Sequence, residues 1–234
     1  MAKSTRHPAS LGDRSEARLP IVQRRSRERQ DRILAEAERI IVEVGTDGLK
    51  MSAVAAGCGI SIGSLYQYFR DKGAILSAIA ERCHEATRDC IDAGLGPADD
   101  WPALSAAFGT LIDDYHAIFA SDPVVRDVWS GIAADKALQA MELRAARENG
   151  ARLAAHVLRV APHADPGEVG EASFLVMALG ESVMRLAVLC PPQEAARHVS
   201  RYAEMAQAEL ARAAGVAFEV PGATRRPGLR LHGA

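Results

Sequence analysis

"GCGISIGSLYQYFRDKGAIL", Gly57 to Leu76, sets two glycines and a serine ahead of a crowded aromatic run, then an Asp-Lys pair and an apolar restart. Only 5% of the chain is aromatic, yet Tyr66, Tyr68 and Phe69 fall close together here. Gly59 can take the left-handed conformation that turns a chain sharply. Ser61 offers a side-chain oxygen to cap a second short helix, Ile62 to Phe69. Before the turn, "SAVAAGC", residues 52 to 58, is Ala-rich and helical by propensity. Two short helices joined by a tight glycine turn form a helix-turn-helix, whose second helix can lie in a major groove.

The spacing supports that geometry. Val54, Ala55, Leu65 and Phe69 are the apolar set that locks the two helices together and onto a first, with Leu65 and Phe69 at i and i+4 on one face. Ser61, Ile62, Gly63, Ser64, Gln67 and Tyr68 are left outward. Gly63 lets backbone approach a groove closely, and Gln67 can pair with a base edge. Tyr66, Tyr68 and Lys72 carry the donors that a phosphate wall requires. The peptide N–H groups that begin a helix at Lys72, capped by Asp71, add to the anion site. Core packing is the competing role for each aromatic, and it is the one expected of Phe69.

This stretch resembles the helix-turn-helix of the tetracycline-repressor (TetR) family. The family pattern runs hydrophobic-Ala, three variable residues, Gly, aliphatic, Ser, two residues, Ser or Thr, Leu-Tyr, two residues, Phe, then Lys. Val54, Ala55, Gly59, Ile60, Ser61, Ser64, Leu65, Tyr66, Phe69 and Lys72 all fit, and the resemblance covers about residues 26 to 83. It implies that Ser61, Ile62, Gly63, Ser64 and Gln67 face bases, while Tyr66, Tyr68 and Lys72 hold the DNA backbone. Ser52 falls where the family often touches phosphate or base. Two departures stand out. Lys50 occupies the position where the family usually caps the preceding helix with Thr or Ser, and Gly73 replaces a common acidic residue.

Upstream, Ile33, Leu34, Ala37, Ile40, Ile41 and Val44 form one stripe of an amphipathic helix from Ser26 to Val44, stopped by Gly45. Arg24, Arg25, Arg27 and Arg29 lie just before or within its first turn, and Arg27 is the residue taken as a DNA contact; a solvated basic leader is the competing reading. Residues 1–23 and 215–234 lack periodicity and are expected to be disordered tails. A helix-turn-helix domain is assigned to 24–72 and a ligand-binding and dimerisation domain to 73–214.

Downstream the pattern is helical throughout. Helices are expected over Lys72 to about Ala93, Pro102 to Ala120, Pro123 to Ala134, a next one that Asp135 caps and that runs to about Val160, and Glu168 to Cys190; Pro191 and Pro192 then break the chain, and a final helix reaches about Ala214. The fold class is therefore all-α, with about nine helices. Glu168 to Cys190 is apolar nearly all round and must be covered on two sides. With the final helix it resembles the pair through which the family dimerises as a four-helix bundle. The expected interface is Leu175, Leu179, Val183, Leu186, Val199, Tyr202, Ala206 and Leu210. If the family architecture holds, Tyr115, His116, Phe119, Trp129, Met141, Phe174, Met177, Glu181 and Arg185 surround an effector pocket; plain core packing is the competing role. Glu181 and Arg185, at i and i+4, have an internal ion pair as theirs.

The bulk composition is globular: 234 residues, 48% hydrophobic and 25% charged. Net charge is -2, but residues 84–214 carry 19 acidic and 11 basic side chains, against 8 and 10 in residues 24–83. That split suggests two parts with different partners. Glu181 and Arg185 interrupt the best candidate for a membrane span, Ala172 to Cys190, so no membrane is expected and a soluble cytoplasmic protein is read. Cys58, Cys83, Cys90 and Cys190 show no metal-ligand spacing with histidine, so neither metal nor cofactor is expected. Nothing orients Asp113, Asp114 and His116, or Cys83 and His84, for catalysis. The resemblance implies a ligand-responsive transcriptional regulator, a homodimeric repressor of a palindromic operator released by a small molecule. A helical protein–protein adaptor and an α-helical enzyme are the alternatives.

Overall fold

The computed structural model describes residues 18–121, 124 and 136–217, with side chains described from residue 24 in the first stretch and from 138 in the last. Regular structure among the described residues is helical: α1 (Arg18–Gly48), α2 (Met51–Gly57), α3 (Ile62–Tyr66), α4 (Lys72–Leu95), α5 (Trp101–Ser121), α6 (Lys136–Val160), α7 (Pro166–Ala187) and α8 (Pro192–Ala214). The helix expected at Pro123 to Ala134 lies outside the described residues, Val124 excepted. So do the tails up to residue 17 and from 218, and the order expected of them is not described. None of these helices is long and apolar enough to cross a membrane.

Local signals account for most boundaries. Asp71, Asp100 and Asp165 each turn a carboxylate oxygen onto the N–H three residues ahead, at 2.8, 2.8 and 2.9 Å, opening α4, α5 and α7. This satisfies one of the orphan donors that every helix start exposes. Lys50 precedes α2 without any side-chain cap, as its chemistry dictates. α1 begins at Arg18, inside the stretch expected to be a disordered leader. Pro20 does not prevent this, since a proline in the first turn removes an N–H that has no helical partner.

The chain clusters into two compact units, one ending at Ile79 and one beginning at Ala80. In the first, Ile33, Leu34, Ala37, Ile40 and Ile41 of α1 are buried with Val54, Ala55, Leu65, Phe69 and Ile75. Val44 departs from the expected stripe and is 55% exposed. The next residue, Gly45, leaves helical geometry at φ 71°, so the chain swings away and Leu49 is buried beyond the bend.

In the second unit α7 is packed between α6 and α8, with α5 against all three. The α6 and α7 backbones meet at Gly150, where an added Cβ would lie 2.7 Å from Phe174 Cα. Arg159 closes the end of α4 by donating to the carbonyls of Ala98 and Leu95. Val199, Tyr202, Ala206 and Leu210, expected at an interface, are buried within the protomer, and the Tyr202 hydroxyl donates to the Val176 carbonyl. They are core because α8 turns its apolar stripe onto α7 and α5 of its own chain.

Candidate nucleic-acid interface and buried effector cluster

The turn after α2 is made by Gly59 at φ 66°, with Ile60 N–H returning to the Ala55 carbonyl at 3.0 Å. Leu65 and Phe69 then point inward, at 0% and 7% exposure. α3 is shorter than the expected Ile62 to Phe69, ending at Tyr66 with Gln67 as its C-cap. Tyr68 and Phe69 N–H both bond to the Leu65 carbonyl, at 2.9 and 3.0 Å, so a final turn replaces the last helical residues.

The outward residues fall into two groups. Ser61, Ile62, Gly63, Tyr66 and Gln67 are exposed, with Ser64 and Tyr68 half-buried. Ser52 and Arg27 are exposed on α2 and α1. Ser61 is engaged locally: its oxygen accepts from Ser64 N–H at 3.1 Å and its hydroxyl donates to Ser64 Oγ at 3.0 Å. Ser64 therefore keeps its own O–H to offer outward. Lys72 is half-buried and donates from Nζ to the Thr46 carbonyl at 3.2 Å, closing the end of α1. Two of its three N–H donors remain for another acceptor. Cys58 Sγ lies 3.7 Å from the Arg32 carbonyl, and burial, then the Glu36 charge, push its thiol up.

A second constellation is buried in the unit that begins at Ala80. His84 of α4, 2% exposed, places Nε2 2.9 Å from Glu142 Oε1 of α6. Glu142 Oε2 is buried and has no hydrogen-bond partner. From α7, Glu181 is 8% exposed, with Arg185 Nη1 3.9 Å from its carboxylate. Burial, followed by the charge of Glu142, pushes the Glu181 carboxyl up to about 9, against the opposing pull of Arg185. Glu181 is therefore a proton-bearing acid beside a second carboxyl at neutral pH. Tyr115 of α5 faces the same groups; burial first, then the Glu181 and Glu142 charges, hold its phenol above the usual range. Phe119 packs edge-on to the Tyr115 ring, centroids 5.0 Å apart.

Of the pocket residues expected from sequence, the structure gathers Tyr115, Phe119, Glu181 and Arg185, with Met141 buried beside Glu142 on α6. His116, Phe174 and Met177 are half-buried and take no part in the polar contacts described for the cluster. Trp129 lies outside the described residues. From sequence, His84 was weighed only as a catalytic candidate and Glu142 was not included. The signal for Glu142 was present: it follows Leu138 by four positions and precedes Ala146 by four, a charge set in a buried apolar row.

The residues of α7 expected at a dimer interface are placed differently from those of α8. Leu175, Leu179 and Leu186 are 45%, 56% and 48% exposed, Val183 is half-buried, and Leu189 just beyond is 83% exposed. Met205 of α8 adds 63% exposure. The protomer thus leaves one apolar stripe of α7 open.

Two family models match this chain. "Bacterial regulatory proteins, tetR family" matches residues 33–79, and "Tetracyclin repressor-like, C-terminal domain" matches residues 102–214. The chain is 32% identical over 114 residues to the uncharacterized HTH-type transcriptional regulator YvdT of Bacillus subtilis, spanning 57% of that protein's length and 48% of its own. Its fold is similar to that of a TetR-family transcriptional regulator from Streptomyces coelicolor, with TM-score 0.63 and 24% identity over 80% of this chain and 98% of that one. It is also similar to SmeT of Stenotrophomonas maltophilia in complex with triclosan, with TM-score 0.59 and 21% identity over 77% and 90% of the two chains.

Proposed function

The chain belongs to the tetR family of bacterial regulatory proteins, and from that premise we propose that it is a ligand-responsive, DNA-binding transcriptional regulator, acting in the cytoplasm as a homodimeric repressor of a palindromic operator. The observation that carries the DNA-binding reading is the pair of inward anchors, Leu65 and Phe69, which leave Ile62, Gly63, Tyr66 and Gln67 outward after the Gly59 turn. A five-residue helix capped by Ser61 suits entry of its N-terminal end into a major groove. Ser64 and Gln67 read base edges, the Ile62 side chain meets a thymine methyl, and Tyr66, Tyr68 and Lys72 hold phosphates. Ser52 and Arg27 add flanking contacts. Residues 24–72 form the reading head, and 73–214 the ligand-binding and dimerising part.

The effector site is the buried cluster of His84, Tyr115, Glu142 and Glu181. A buried carboxylate oxygen without a partner costs about 1–3 kcal/mol, and a ligand that donates a hydrogen bond to Glu142 Oε2 recovers it. The effector is thus a small molecule bearing a hydroxyl or amine donor. Binding that favours one conformation of the protein over the other shifts operator affinity.

Fluorescence anisotropy on DNA from upstream of its own gene tests the reading. Expected is salt-dependent, sequence-specific binding, weakened by Gln67→Ala at particular base pairs and by Tyr66→Phe across all sequences. Equal affinity for scrambled and native duplex would sink it. Operator affinity unmoved by every compound that measurably binds the protein would remove the effector half.

A further inference from the structure

Between the end of α7 and the first turns of α8, Cys190, Glu194 and His198 turn their ligating atoms toward one point. Cys190 Sγ, a Glu194 carboxylate oxygen and a His198 ring nitrogen all lie within 4.8 Å of one another, and each residue is half-buried. We propose that these three side chains are a binding site for a divalent transition-metal cation, with Zn²⁺ the ion their chemistry fits best.

Three features point there. First, the donor set is mixed: a thiolate, a carboxylate and a neutral imidazole carry two negative charges together, which balances a dication. Sulfur, nitrogen and oxygen in three protein positions with one left open is the composition of a tetrahedral zinc site, and hard oxygen-seeking cations such as Mg²⁺ would not choose the thiolate. Second, the fold supplies the spacing. Glu194 and His198, four residues apart, share one edge of α8, and the extended Pro191 before the helix leaves Cys190 beside them. Metal bonds of about 2.0–2.3 Å at tetrahedral angles require donors about 3.3–3.6 Å apart. The present separations, within 4.8 Å, exceed that by little more than 1 Å.

Third, the backbone under the donors is already pinned. Cys190 N–H bonds to the Ala187 carbonyl at 3.1 Å, and the N–H groups of Glu194 and Ala195 both bond to the Pro191 carbonyl at 2.9 Å. Pro191 and Pro192 fix the entry angle between them. The contact between His198 Nε2 and Glu194 Oε1, 3.4 Å, is also what an ordinary i,i+4 surface pair would give. Such a pair has no use for Cys190, so the thiol decides between the two.

Coordination replaces the Cys190 S–H bond with a metal–sulfur bond and releases that proton to solvent, the metal keeping its +2 state. Metal binding therefore releases a proton.

The test uses the full chain, reduced, stripped with a chelator and titrated with Co²⁺ alone. Expected is about one equivalent bound per chain, with an intense ultraviolet thiolate-to-cobalt charge-transfer band and visible bands of tetrahedral strength, both displaced by Zn²⁺. Cys190→Ser abolishes the charge-transfer band, and His198→Gln weakens Co²⁺ binding at least tenfold. Both side chains are part-exposed, and unchanged helicity with an unchanged thermal melt shows that the variants fold. A wild-type chain without the band, a band retained in Cys190→Ser, or undiminished affinity in His198→Gln overturns the proposal. These readouts need no effector and no DNA, so they stand or fall apart from the regulator reading.

Discussion

Gly59 and Ser61 are the two residues on which the reading head's shape depends, and they act by different physics. Gly59 sits at φ 66° with nothing within 4 Å of the place a Cβ would occupy, so a side chain there meets backbone strain and no clash. Gly59→Ala should therefore lower stability by about 1–2 kcal/mol, and Gly59→Asn by less, because Asn tolerates the left-handed region. Urea denaturation of the two variants checks the order. Ser61 spends both its oxygen and its proton on Ser64. Ser61→Ala should cost about 1 kcal/mol through the lost cap, with faster amide exchange at Ser64, and a variant as protected as the wild type would contradict it. Both residues were legible in sequence because turn and cap signals act over three or four positions. The partner of Lys72 was not: the Thr46 carbonyl is 26 residues away, and only the folded bend at Gly45 brings it within 3.2 Å.

At the scale of helices, periodicity told which residues share a face but not what that face meets. Val199, Tyr202, Ala206 and Leu210 share a stripe of α8 as expected, yet they pack their own protomer, whereas Leu175 and Leu179 of α7 stay open. Nor did pattern alone reveal how close two helices come. At Gly150 an added methyl would meet the Phe174 main chain at 2.7 Å for Cα and 3.0 Å for N, atoms that cannot rotate aside. Gly150→Ala should destabilise by about 1–3 kcal/mol as overpacking, less about 1 kcal/mol regained from helix propensity, which a thermal melt reads directly. The buried acid of α7 sets a pH dependence. Glu181 is raised from the usual 4.5 to about 9, so across that window the folded chain holds a proton that the unfolded chain has released. Stability then falls as pH rises from 4.5 and levels off above 9. Glu181→Gln keeps the neutral shape beside His84, Tyr115, Glu142 and Arg185, so its advantage over wild type should grow between pH 5 and pH 8. An advantage that shrinks over that interval would mean the carboxyl is charged in the fold.

For the whole molecule the open question is what covers α7. Leu175, Leu179 and Leu186 follow each other by four and seven positions, one stripe along the helix, and Leu189 extends it past the helix end. Four large aliphatic side chains, each at least 45% exposed, are apolar surface that the protomer itself leaves uncovered. A second copy related by a two-fold axis would present the same stripe, so that each α7 would cover the other in an isologous contact that closes on itself. For such a dimer to place two reading helices on one duplex, the operator half-sites would stand about 34 Å apart or a multiple of that. Leu179→Glu puts a charge at the 56% exposed centre of the stripe, where the protomer tolerates it because the side chain already faces water. A buried unpaired charge at the contact would cost the dimer several kcal/mol. Sedimentation at micromolar concentration should therefore show twice the 25.0 kDa chain mass for wild type and the single chain for Leu179→Glu, with helicity unchanged. The variant should also lose most operator affinity while keeping weak half-site binding, since two linked reading heads gain from effective concentration what one cannot. Wild type sedimenting at 25.0 kDa would leave the α7 stripe to another partner and break the link between dimer and palindrome.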